Sequence, residues 1–180
     1  MAFCSQFLSG IASDCHSNVG GLRVAYIANW DNGITLTSND GVISAIVHPT
    51  GEKFKPYQIR KGSSSMTSTF TKDNATGVGY VETELSLVFH GMNAANNEEL
   101  SNLLNAEVAC IVEDENGSFY YLGADAPVRI SGGNAMSGAQ KGDVNAYSVT
   151  LKDESREMPL LVSASAIADV VSEKISTGLR

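Results

Sequence analysis

From Tyr80 to His90 the side chains alternate: Val81, Thr83, Leu85, Leu87 and Phe89 share one parity, and Glu82, Glu84, Ser86 and Val88 the other. A period of two places each set on its own face of an extended strand. This segment must therefore lay one face on a core and turn the other to water, and the rest of the chain must supply that core. Shorter runs of similar kind precede it. Leu22, Val24, Tyr26 and Ala28 share a parity after Gly20-Gly21, and Ile34–Thr37 and Val42–Val47 flank Asn39-Asp40-Gly41. Asn and Gly tolerate positive φ, so Asp31-Asn32-Gly33 and Asn39-Asp40-Gly41 read as turns of a meander.

Further on, Glu107–Glu113 and Ser118–Leu122 enclose Asp114-Glu115-Asn116-Gly117, the strongest hairpin signal in the chain. Asn96 or Asn97 reads as a helix N-cap, with Glu98 and Glu99 in the first turn and Leu100, Leu103 and Leu104 on the packed side. Val128–Ile130 is a short strand, and the glycines between Ser131 and Gly142 predict a flexible loop. Asn145–Lys152 and Met158–Val162 read as a final strand pair joined by the charged turn Asp153–Glu157. Ala164–Ile175 has the spacing of a modest C-terminal helix or docking tail. The expectation is one domain over residues 1–180, mainly β or α+β, a β-sandwich or barrel of about ten strands with one flanking helix.

One stretch stands apart. Residues 52–71 collect Lys53, Lys55, Arg60 and Lys61, then pass through Gly62-Ser63-Ser64-Ser65 into the Thr-rich run Met66–Thr71. Two polar strands cannot bury much, so this segment is expected to be a protruding hairpin that contacts another subunit. Only 18% of the 180 residues are charged, against roughly 25% in a typical soluble domain, as befits a surface covered by copies or partners. The net charge of −8 argues against tight, sequence-independent nucleic-acid binding, which relies on Lys and Arg neutralising phosphates.

Catalytic constellations are not evident. Asp14-Cys15-His16 are sequence neighbours, whereas a working nucleophile and base are brought together in space from separate elements. His16, His48 and His90 match no metal-ligand spacing, and Asp114–Gly117 lacks the later ligands of a calcium loop. Gly132-Gly133 and Gly138 form no phosphate loop. No enzyme activity, metal or cofactor is therefore expected. Cys110, in an apolar run, reads as a small hydrophobe. Cys4 and Cys15 leave two readings open, a bridge or free thiols in a reducing compartment. No secretory signal and no apolar run of about 18 residues is visible, so no membrane partner is expected.

Two stretches carry a family likeness. Asp14–Asn29 has a Cys-containing opening, Gly20-Gly21 and a strand ending in Ile27-Ala28-Asn29. Gly138–Leu151 has a Gly-rich loop followed by Gly142-Asp143, Asn145 and Tyr147 in a strand. Both resemble bacteriophage tail tube proteins. The resemblance implies a β-sandwich or barrel of the tail tube type that forms homo-oligomeric rings, commonly hexameric, stacked into a tube in the virion tail. Assembly would occur in the host bacterial cytoplasm, with other tail proteins as partners and DNA passing without specific binding. It also implies that strands join edge to edge around the lumen and that an arm reaches the next ring. On that analogy residues 52–71 are the arm, and residues 1–19 and 164–180 make inter-ring contacts. The expected contact residues are Lys53, Lys55, Arg60, Lys61, Met66, Phe70, Ile167 and Val171, with Glu113, Asp114 and Glu115 as the acidic surface facing the cations. A head–tail neck or baseplate protein and a secretion-system tube protein are alternatives. A carbohydrate-binding module is another, for which Trp30, Tyr120 and Tyr121 are the available aromatics.

Overall fold

A computed structural model of the chain describes residues 19–60, 62–73 and 75–172. In chain order the described elements are strands β1 (Leu22–Asn29), β2 (Thr35–Asn39), β3 (Val42–Val47), β4 (Lys55–Gln58), β5 (Ser65–Lys72) and β6 (Gly79–His90) and helix α1 (Ala94–Leu103). They continue through β7 (Val108–Asp114), β8 (Phe119–Leu122), β9 (Arg129–Met136), β10 (Ala146–Ser155), β11 (Leu160–Val162) and α2 (Ala164–Val170). The strands form a seven-stranded sheet, β2-β3-β11-β8-β7-β1-β4, and a four-stranded sheet, β5-β6-β10-β9. The fold is mainly β, and its sheets do not close into the barrel that was one of the two expected forms.

The alternation in β6 does what its period requires. Leu85, Leu87 and Phe89 stand opposite Leu151, Val149 and Tyr147 of β10 and pack against the larger sheet through Ala25, Ile27, Cys110, Val112 and Leu122. Each fully buried aliphatic side chain here is worth about 1.5–3 kcal/mol. The larger sheet is apolar on its other face too, where Val24, Tyr26, Ala28, Ala109 and Ile111 meet Ile167 and Val170 of α2, and Phe54. The expected single buried parity of β1 is therefore too simple. A register shift between Leu22 and Val24 moves Leu22 to the inter-sheet side, and the strand is buried on both faces from Val24 to Ala28.

Turn chemistry is read correctly at two hairpins. Asp40 and Gly41 take φ of 50° and 79° between β2 and β3. At the Asn116-Gly117 turn, Asp114 Oδ1 accepts from the amides of Asn116 (2.9 Å) and Ser118 (2.7 Å), which ties β7 to β8.

Several expectations are corrected. Residues 52–71 are not one hairpin: β4 joins β1 in the larger sheet, whereas β5 pairs with β6 in the smaller one. Both strands lie at sheet edges, and polar composition carried no information about their partners. Likewise β10 and β11 lie in different sheets, and β11 sits between β3, to which it is parallel, and β8. Helix α1 starts earlier than expected, because Asn93 is the cap and its Oδ1 accepts from Asn96 N at 2.8 Å. Leu100 and Leu103 pack inward as expected, but Leu104 is 62% exposed. The C-terminal helix forms but ends at Val170, its cap Ser163 accepting from Ala166 N.

The predicted loop at 131–142 is half strand. Gly132 and Gly133 belong to β9, paired with Thr150 and Val149 of β10. A Cβ on Gly133 would lie 2.8 Å from the Ser148 carbonyl oxygen, so the glycine permits a close approach of two backbones. We expect Gly133→Ala to lower stability by about 1–2 kcal/mol. Hydrogen exchange should quicken in β9 before β6 or β7; uniform protection would refute this account of the glycine.

Candidate assembly surface

The four-stranded sheet ends in two eight-residue strands, β5 and β9, each with one unpaired edge and side chains largely exposed. Its outward face is set by the same register that builds the core. Glu82 stands opposite Glu154, Glu84 opposite Lys152 and Ser86 opposite Thr150, with Thr67 and Thr69 beside them on β5. Lys152 Nζ lies 3.0 Å from carboxylate oxygens of both Glu82 and Glu154, and those acids raise its pKa. Arg129, at the start of β9, pairs with Glu107. The face is thus polar, with its basic groups already held by acids.

Beyond Val81, whose partner is Ser155, β6 has no β10 neighbour. Thr71 and Lys72 pair there with Tyr80 and Gly79, and Asp73 N donates to the Val78 carbonyl oxygen at 2.9 Å across the end of the hairpin. At the turn Asp73 accepts from Ala75 N (2.8 Å) and Thr76 Oγ1 (2.9 Å), which holds its carboxyl below the usual carboxylate range. Phe70, Val78 and Tyr80 are 69%, 58% and 42% exposed. This β5–β6 tip, not residues 52–71, is the protruding arm of the described structure. Its signal lay in the sequence: two strand runs around Asp73, with Thr76-Gly77 closing the turn.

The expected contact residues scatter. Phe70 lies on the arm. Met66 is half-buried against the inter-sheet core, and Ile167 and Val171 are 0% and 8% exposed within the other one, so they hold this subunit together. Lys53 Nζ donates to the Asp169 carbonyl oxygen, tying the segment before β4 to α2. Lys55, at the start of β4, and Arg60, beyond its end, are exposed, and Lys61 lies outside the described residues, as do residues 1–18 and 173–180 with Cys4 and Cys15. The acidic surface expected to face the cations is engaged within the chain. Arg23 lies 3.3 Å from Glu113 and 3.5 Å from Glu115, and Asp114 caps its own turn.

The loop after β9 is also tied, since the Asp143 carboxylate accepts from Ala139 N (2.8 Å) and Gln140 N (2.7 Å) and is held below the usual range by them. Between β4 and α1, Tyr57, Arg60, His90 and Glu99 line a cavity of about 560 Å³. The Tyr57 hydroxyl donates to Glu99, and burial followed by that carboxylate pushes its pKa up. The three aromatics weighed for sugar binding form no exposed platform. Trp30 is half-buried with Nε1 donating to the Gly123 carbonyl oxygen at 3.0 Å, Tyr120 packs against the inter-sheet core, and Tyr121 is 1% exposed.

Sequence reading also missed Asp153, assigned to a turn. Strand β10 runs on to Ser155, and Asp153 continues the inward parity of Val149 and Leu151 opposite Thr83. It is 2% exposed, and burial raises its pKa to about 6 despite a hydrogen bond from the Gly123 amide. Cys110 is fully buried, and its thiol is pushed up by that burial and by Asp153. The chain matches no protein-family model, no curated protein and no solved structure.

The unfolded chain loses the Asp153 proton near its ordinary pKa of 3.8, whereas the folded protein keeps it until about 6. Stability should therefore fall as pH rises between those values and level off above them. Asp153→Asn should remove that slope and raise stability at pH 7 by on the order of 1–2 kcal/mol. Urea unfolding from pH 4 to 8 checks this; an unchanged slope would refute it.

Proposed function

We propose that the protein is a structural virion protein, a bacteriophage tail tube subunit that polymerises into stacked rings forming a conduit for DNA ejection. The observation that carries the reading is the four-stranded sheet with two long, exposed edge strands, β5 and β9. Soluble monomers blunt such edges because unpaired amides and carbonyls recruit other chains. Joining β5 of one copy to β9 of the next continues the sheet, and closing a ring removes the free edges. The polar face carrying Glu82, Glu84, Glu154 and paired Lys152 then lines the lumen, where it offers phosphates few free cations. The β5–β6 arm, with exposed Phe70, Val78 and Tyr80, extends past the sheet to a neighbouring subunit. The resemblance of residues 14–29 and 138–151 to tail tube proteins supports the same reading.

Negative-stain electron microscopy of the purified protein tests it directly. Tubes built of stacked rings are expected. Rings that never stack would favour a neck or baseplate subunit, and a monomer at high concentration would refute the assignment. Lysines introduced on the β9 edge, as Asn134→Lys with Met136→Lys, should cut tube yield at least several-fold with little change in monomer melting temperature. Tubes at unchanged yield would count against edge pairing.

A further inference from the structure

We propose that Phe70 of one copy enters the apolar groove between β9 and α1 of the next copy, and that this contact sets the register in which β5 joins β9. The inference rests on the edge pairing just described and names the side chains that fix it. Phe70 and Leu104 are the two most exposed large apolar side chains among the described residues. Each leaves apolar surface at water that burial would remove. Leu104 and Leu100, at the end of α1, form one wall of a groove of about 470 Å³. Ile130, Ala135 and Tyr147 line it from the sheet, where Gly133 adds no side chain to fill it.

Strand parity puts the knob and the groove on one face. Met66 and Phe70 of β5 stand opposite Leu85 and Val81 of β6, and Ile130, Gly133 and Ala135 of β9 stand opposite Leu151, Val149 and Tyr147 of β10. Leu85, Leu151, Val149 and Tyr147 all belong to the inter-sheet core, so this is the side away from the polar face. Strand direction agrees as well. Each neighbouring pair in β5-β6-β10-β9 is antiparallel, so β5 of one copy meets β9 of the next antiparallel in a continued sheet. Residues directly opposite in such a ladder project to the same side. Carried to the β9 edge, Phe70 therefore falls on the groove. A second copy is the occupant because parity and direction that fit the groove both belong to this chain.

Register follows from the lengths of the two edges. In the β9–β10 ladder Gly132 pairs with Thr150 and Ile130 with Leu151, which leaves Ser131 as an extra residue. The longest ladder then pairs residues 65–71 of β5 with all of β9, and places Met66 opposite Ala135, Ser68 opposite Gly133 and Phe70 opposite Ile130. A slip of one residue would turn Phe70 to the polar face. Within one copy Met66 is level with Ile130 through Leu85 and Leu151, whereas across the contact Ile130 is level with Phe70. The offset, from 66 to 70, is four residues over the four strands of the sheet, or one residue per strand. That ratio is the shear of a closed barrel whose strands tilt by about 36°. The register that seats Phe70 is thus one in which a ring of such sheets can close.

Two measurements on the full chain test this. In the first, Phe70→Ala, Leu104→Ala and the double variant are compared with wild type by sedimentation velocity and negative stain. Each single change should weaken association roughly ten-fold, with little change in monomer melting temperature because both side chains are exposed. The double variant should lose little more than either single one, since both changes remove the same contact. In the second, Thr67→Cys/Asn134→Cys places thiols opposite each other on the outward side in the proposed register. Strands β6 and β10 separate these positions within one copy, so oxidation should give a ladder of covalent oligomers that neither single variant gives. Thr67→Cys/Gly132→Cys, two residues out of register, should cross-link far less. Unchanged association of Phe70→Ala, single losses that multiply in the double variant, or cross-linking that prefers position 132 would each overturn this contact. Tubes that still form in those cases leave the tube reading standing. A wild-type protein that stays monomeric overturns both.

Discussion

The pairing of β1 with β7 is the constraint from which the rest of the molecule follows. Val24 to Ala28 and Val108 to Val112 are buried on both sides, with Ala25 opposite Val112, Tyr26 opposite Ile111 and Ile27 opposite Cys110. A ribbon apolar on both faces cannot end at water, so it needs a layer above and a layer below. The four-stranded sheet supplies one through Leu85, Leu87, Val149 and Leu151. Helix α2 and Phe54 supply the other. Each covering layer can then be amphipathic, and the outward side of the smaller sheet is free to be polar.

How much of this the sequence disclosed depended on the range of the interaction concerned. Period-two alternation identified β6 because neighbouring residues alone decide which way its side chains point. Asn116-Gly117 and Asp40-Gly41 identified their hairpins because turn conformation is a local property. Partnership is not local. The Ser/Gly segment between Arg60 and Met66 looks like a hairpin tip, yet it carries the chain from one sheet to the other. Gly133 looks like a loop residue because the reason for it, the Ser148 carbonyl, lies 15 residues away in sequence. The Asp153 carboxylate was hidden for a related reason: its charged neighbours Glu154, Arg156 and Glu157 dominate the composition, while its parity with Leu151 decides its burial.

The candidate assembly surface was legible to the same degree. Composition indicated a protruding hairpin over residues 52–71, whereas β4 and β5 lie at the edges of different sheets and the exposed hairpin tip is that of β5–β6. Expected contacts at Ile167 and Val171 became internal because an apolar helix face next to an uncovered sheet face is consumed there. What remains outside is a subunit whose polar groups are mostly matched within it: Arg23 with Glu113, Lys152 with Glu82 and Glu154, Arg129 with Glu107. Among the described residues, the backbone edges of β5 and β9 are left without a strand partner.

The short strand β11 has a consequence for how such a molecule comes into being. It alone joins the β2–β3 hairpin to β8 and the remainder of the larger sheet. Residues 35–47 and 108–122 can each form their own hairpin early, but the two pieces share no ladder until residues 160–162 slide between them. Long-range pairing of this kind is slow, because the intervening chain must be ordered before the contact rewards it. During synthesis, β3 and β8 therefore wait with open edges of their own, beside the edges of β5 and β9. Commitment to the native sheet comes late, and the interval before it is when strands are most exposed to the wrong neighbour.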